Sequence, residues 1–176
     1  GFIKGRYTIF GKNPDKIWEF NDNKCKLLFK NQKRKLNGNP KKNIEKIIEN
    51  FNFEIPKELP PISSIISGYF SYDIIRYIEK IPNKTKNDLK IPDTRILRPR
   101  NLIVHDNIEK KLFFIVNCFN DEKINNFQKK FNEIEKQIEE MVFLANYDLK
   151  NSSTRSNKVS KVKSNISKKR FIKNVI

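Results

Sequence analysis

The chain predicts an α+β fold in which two antiparallel β-sheets pack as a sandwich, with helices flanking them. Three observations carry this expectation. Short aromatic and aliphatic segments alternate with turn sequences between residues 6 and 29, a hairpin pattern spans 102–116, and two stripes of apolar residues recur at helical spacing. The 176 residues and 37% hydrophobic content suffice for one domain with a real core.

Taken in order, 6–10, 16–20 and 25–29 read as an antiparallel meander, with GKNPD at 11–15 and NDN at 21–23 as its turns. Cys25, Leu27 and Phe29 alternate with Lys26 and Lys30, giving one buried and one wet face, while Leu28 points toward a second layer. Asn39 and Pro40 supply an N-cap and a first helical residue, after which Ile44, Ile47, Ile48 and Phe51 share a helical face. Residues 65–72 read as a mostly buried strand. Asp73 then caps a helix whose Ile74, Ile75, Ile78 and Ile81 line one side until Pro82 stops it. Further strands are expected at 95–97, 102–104 and 112–116, the last two joined as a hairpin through Asp106 and Asn107. A long helix follows over 121–145, and its Ile124, Phe127, Phe131, Ile134, Ile138, Met141 and Ala145 form the stripe that packs it on a sheet. Residues 1–145 therefore form one domain. Residues 146–166, rich in Asn, Ser and Lys, read as a linker, and Ser167 caps a new helix over 167–176.

The formal charge of +17 raises nucleic-acid binding as the rival function class. The excess is mostly lysine, alongside abundant Ile and Asn, a bias that AT-rich codons produce whatever the function. The basic segment 150–173 also lacks interleaved aromatics for base stacking, so neither a nucleic-acid nor a membrane-surface arm is expected. No run approaches the roughly 18 apolar residues of a spanning helix; the longest uncharged stretch, 59–72, is broken by Pro60, Pro61 and Gly68. A soluble cytoplasmic protein is expected. Cys25 and Cys118 lack the spacing of a zinc site and read as buried thiols, while His105 reads as a strand-end surface residue. No catalytic triad or metal set assembles. The chain opens on GFIKGRY, without methionine or a secretory pattern, so an internal start is expected.

Four blocks carry a resemblance. Gly5-Arg6-Tyr7-Thr8 with Gly11, Pro14-Asp15 and Trp18 is the first; Leu59-Pro60-Pro61 through Gly68-Tyr69 and Tyr72-Asp73 is the second. Arg76, Glu79 and Pro82 form the third, and Ile91-Pro92-Asp93 with Leu97-Arg98-Pro99 the fourth. In this order they resemble the N-terminal region of anthranilate synthase component I. One departure is that Ile65 or Ile66 stands where the family often has a second glycine. The sister family, aminodeoxychorismate synthase component I of folate synthesis, is the nearest alternative; Pro14-Asp15 with Trp18 and Leu97-Arg98-Pro99 favour the tryptophan enzyme.

The resemblance implies a part of an enzyme that converts chorismate and ammonia from glutamine into anthranilate and pyruvate, with Mg²⁺ and the acid–base residues in a chorismate-binding domain that starts near residue 167. No catalytic residue and no metal ligand is therefore assigned to this chain, which is expected to be inactive alone. It further implies a glutamine amidotransferase partner, component II, and feedback by L-tryptophan at a pocket to which Lys4, Gly5, Arg6 and Tyr7 would contribute. A stand-alone tryptophan-sensing domain is a third possibility. On residue chemistry alone, Arg6 also suits an edge-strand charge and Tyr7 a core aromatic, Gly68 to Asp73 suit a strand-to-helix junction, and Arg76 with Glu79 suit a local ion pair.

Overall fold

A computed structural model describes residues 5–22, 24–30, 32–51, 54–83, 89–147, 164 and 166–175. It divides into two compact units, 1–145 and 146–176. The first carries six strands, β1 (Tyr7–Asn21), β2 (Lys24–Phe29), β3 (Gln32–Leu36), β4 (Ser67–Phe70), β5 (Thr94–Asp106) and β6 (Lys111–Val116), with helices α1 (Pro40–Glu49) and α2 (Phe127–Ala145). The second carries α3 (Lys168–Val175).

The α+β class and the antiparallel pairing stand, but the two expected sheets are halves of one hydrogen-bonded sheet. Its order is β3-β2-β1-β5-β4, and β6 pairs β5 beyond β4. The cause is that β1 and β5 are 15 and 13 residues long and run through both halves, paired along nearly their whole length. GKNPD is therefore no turn. Pro14 faces Pro99, and the next pair is Lys16 with Arg98, so Asp15 is an extra residue on β1. A bulge is where a central strand tolerates proline, because the ladder has already lost its regular donors there. The strands expected at 95–97 and 102–104 merge for the same reason.

Each half has its own core. In one, Trp18, Phe20, Cys25 and Ile96 are buried and are covered by Leu36, Ile44, Ile47, Ile66 and Tyr77; in the other, Leu102, Val104 and Ile115 are buried beneath Tyr7, Ile62, Ile65 and Phe113. α1 forms as expected, with Asn39 Oδ1 accepting from the Lys41 amide at 2.8 Å. α2 starts six residues late, because Asp121 and Glu122 are drawn into ion pairs and Asn126 instead accepts from the Lys129 amide at 2.9 Å. In the second unit Ser167 Oγ accepts from the Arg170 amide at 3.3 Å, the expected cap of α3. Most of the expected linker, 148–163 and 165, lies outside the described residues.

The segment 65–82 departs most from expectation. β4 covers only 67–70 and is exposed, since it lies at the sheet edge. The following helix is a single 3₁₀ stretch, Tyr72–Tyr77, with Ser71 rather than Asp73 at its N-cap position and no side-chain cap bond. Arg76 pairs with Asp73 one turn before it. Gly68 sits opposite Ile96, and a Cβ there would lie 2.0 Å from the Arg95 carbonyl oxygen. Close approach of two backbones, rather than a turn, requires that glycine. Cys25 is buried, which pushes its thiol up to about 12, and the half-buried Cys118 is raised by the same cause. Neither is a thiolate nucleophile at neutral pH. His105 lies near the end of β5, half-buried rather than on the surface.

Candidate functional site

The start of β1 is where the resemblance implies an effector site. Lys4 lies outside the described residues. Gly5 has φ +87°, a conformation that suits glycine, with no atom near its missing Cβ. The chain then enters β1 with Tyr7 opposite Asp106, which brings Arg6 beside the β5–β6 turn.

Arg6 donates from Nε (3.0 Å) and Nη2 (2.7 Å) to Asp106 Oδ2, and its Nη2 lies 3.3 Å from Glu109 Oε1. Its guanidinium stands 4.9 Å from the centre of the Tyr7 ring. Asp106 is buried, yet hydrogen bonds from Arg6 and the Glu109 and Ile108 amides hold its carboxyl near 2, against burial, which acts the other way. The Arg6 guanidinium is raised by the same Asp106 bond. Sequence reasoning missed this partner, reading Asp106 and Asn107 only as turn formers. An Asp beside an Asn at a hairpin end is a signal for side-chain caps, but nothing local says that a residue 100 positions away completes them.

The grooves among the described residues include three of about 1140, 560 and 260 Å³, and none of these three is lined by Gly5, Arg6 or Tyr7. The largest runs from the bulge past Phe29 and Lys33 to the start of α2. Three of its charged groups are engaged with one another: Arg100 pairs with Glu122 at 2.9 Å, and Lys130 with Glu122 at 3.2 Å. Hydrogen bonds from Arg100, the Phe119 amide and Lys130 lower the Glu122 carboxyl, although burial works to raise it. Among the described residues no group of three or more His, Cys, Asp or Glu is placed to hold a metal ion, so these residues do not fit the Mg²⁺ that the resemblance implies. No step through it is derived from this chain. No helix among them is long and apolar enough to cross a membrane.

Other motif residues meet as joints. Bulged Asp15 accepts from Arg98 Nε at 2.8 Å and Nη2 at 2.5 Å, both side chains being under a tenth exposed. Arg98 also reaches Asp121 at 2.9 Å and lies 3.7 Å above the Phe119 ring, while Lys16 closes the group on Asp121. Asp93 accepts from the Tyr77 hydroxyl (2.7 Å) and the Asp22 amide (3.0 Å), tying the 3₁₀ segment to the β1–β2 turn. Burial first, and then that bond, push the Tyr77 phenol up. The Leu59–Ser64 loop is pinned by Asn117, whose Nδ2 donates to the Ser63 carbonyl at 3.0 Å.

A single antiparallel sheet clasped in this way, with helices beside it, defines an α+β element. Residues 7–176 match the family described as chorismate binding enzyme, and the chain belongs to that family. It is 30% identical over 176 residues to anthranilate synthase component 1 of Acetivibrio thermocellus, covering 97% of this chain and 36% of that protein. Its identity to the Cereibacter sphaeroides component 1 is 32% over 114 residues, covering 62% of this chain and 23% of that protein. The crystal structure of anthranilate synthase component I from Streptococcus pneumoniae TIGR4 shares the fold, with a TM-score of 0.66 at 17% identity over 84% of this chain and 31% of that one. The chain thus spans about a quarter to a third of the length of these relatives.

Proposed function

We propose that this chain is the N-terminal structural and regulatory part of an anthranilate synthase component I. The parent enzyme converts chorismate and ammonia, drawn from glutamine by a component II partner in the cytoplasm, into anthranilate and pyruvate. The observation that carries the reading is the similarity to the Acetivibrio thermocellus component 1 along 97% of the chain. This chain corresponds to 36% of that relative, so proton transfer and Mg²⁺ binding are assigned to the remainder of the parent, and the 176 residues alone are inactive.

Within that enzyme, Lys4, Gly5, Arg6 and Tyr7 form one wall of the tryptophan feedback pocket. Arg6 supports the assignment: 38% of its side chain stays exposed, and its stacking on Tyr7 offers a guanidinium for a carboxylate beside an aromatic face for an indole. The test is Arg6→Ala in the full-length enzyme, assayed for anthranilate fluorescence with and without L-tryptophan. Weakened inhibition with uninhibited turnover nearly unchanged is expected. Loss of both in parallel assigns Arg6 to the fold alone, and turnover of chorismate by the 176-residue chain overturns the location of chemistry.

A further inference from the structure

The residues that orient the start of β1 are not on β1. Asn107, in the β5–β6 turn, makes three bonds to it: its amide donates to the Arg6 carbonyl at 2.7 Å, and its Nδ2 donates to the Gly5 carbonyl and to Thr8 Oγ1, each at 3.0 Å. A carbonyl only accepts, so the Asn107 amide orientation is fixed, and its Oδ1 faces His105 Nδ1 at 2.9 Å as an acceptor. His105 thereby holds Asn107 in place from the end of β5. Asp106 divides its carboxylate between two tasks. Oδ2 binds Arg6, while Oδ1 accepts from the Ile108 and Glu109 amides at 2.9 and 3.0 Å and so fixes the turn itself.

We propose that Asp106 and Asn107 are positioning residues for the effector segment: they hold Gly5 in its left-handed conformation and Arg6 against the Tyr7 ring, and tryptophan sensitivity depends on them though neither touches tryptophan. The inference rests on the effector reading of Arg6. Gly5 has φ +87° and no atom within 4 Å of a Cβ built on it, so the bonds from Asn107 are what orients its peptide. The turn supplies that order. Glu109, which also pairs with Lys111 at 2.9 Å, is the weaker and more exposed partner of Arg6, the one a ligand carboxylate displaces.

The experiment uses the full-length enzyme with Asn107→Ala, and with Asp106→Asn as a second variant that keeps the turn-capping oxygen but weakens the pair. Half-inhibition by L-tryptophan, uninhibited kcat and KM for chorismate, and amide hydrogen exchange over residues 5–9 are measured together. Loss of one or two hydrogen bonds to the segment is expected to raise the half-inhibitory concentration about tenfold and to speed exchange at 5–9, with kcat and KM within about twofold. Faster exchange with unchanged half-inhibition overturns the inference and leaves the effector role of Arg6 standing. A parallel fall in kcat overturns it too, as does unchanged exchange. If Arg6→Ala itself leaves inhibition intact, the effector reading fails instead, and the inference with it.

Discussion

Replacing Arg98 by alanine should cost more than replacing its partner Asp15, and the structure sets the scale. The Arg98 side chain is 9% exposed and that of Asp15 5%, so neither charge has water to fall back on. Burial alone would lower the Arg98 guanidinium, and its bonds to Asp15 and Asp121 more than reverse this. Arg98→Ala strands a buried carboxylate, a loss of about 3–5 kcal/mol. It also removes the contact with the Phe119 ring, worth about 1 kcal/mol more. Asp15→Ala leaves Arg98 bound to the half-exposed Asp121, so the cost falls to about 2–3 kcal/mol. A double change to Asp15→Ala with Arg98→Met removes both charges and should recover part of the loss. Urea unfolding reads this directly, because Trp18 is the single tryptophan of the chain, lies in the core and follows the bulge by three residues. A cost below about 1 kcal/mol for Arg98→Ala, or equal costs for both single variants, would refute the clasp as a buried, unequally shared ion pair.

Gly68→Ala should cost about 3 kcal/mol or more, since its Cβ meets the Arg95 carbonyl at 2.0 Å and β4 must leave β5, whereas Gly5→Ala meets only open space and costs about 1 kcal/mol of backbone strain. Thermal unfolding of the two variants separates crowding from conformation, and a harmless Gly68→Ala contradicts the close approach. The Asp106 carboxyl, held near 2 against an ordinary 3.8, stabilises the fold fully above 3.8 and loses that contribution as pH falls toward 2. An NMR titration should place its midpoint near 2 in the native chain and higher in Arg6→Gln; an unchanged midpoint in the variant would deny Arg6 its part.

What was legible in the sequence was local. Asn39, Pro40 and the isoleucines that follow specify α1 within a dozen residues, and Ser167 does the same for α3. What was hidden depended on partners far away. GKNPD has the composition of a turn, and only a second strand carrying Pro99 at the same level makes it a bulge instead. β3, with four polar residues in five, has no apolar alternation to announce it and exists through its ladder with β2. The helix expected from Asp73 to Pro82 rested on an isoleucine pattern, yet the segment is a six-residue 3₁₀ stretch of about two turns that ends at Tyr77, whose hydroxyl is tied to Asp93.

The same contrast separates recognition from function at the candidate site. The motif residues that identify the family are spent on joints: Pro14 against Pro99, Asp15 on Arg98, Gly68 beneath Arg95, Asp93 on Tyr77. Residues used in this way are buried or already bonded, and a ligand would have to break a structural bond to reach them. Arg6 differs because it is bonded on one side and exposed on the other, with its orientation set by a turn that belongs to a different hairpin. Movement of Gly5 and Arg6 leaves the first core in place, since Trp18 and Phe20 anchor the far half of β1 beyond the bulge, while Tyr7 ties the segment to the second. The bulge at Asp15 thus does two things: it lets one strand serve both halves of the sheet, and it leaves the first eight residues of β1 anchored to β5 alone among the described strands. Feedback, if it enters through Arg6, enters at the end of the strand that the fold secures on one edge only.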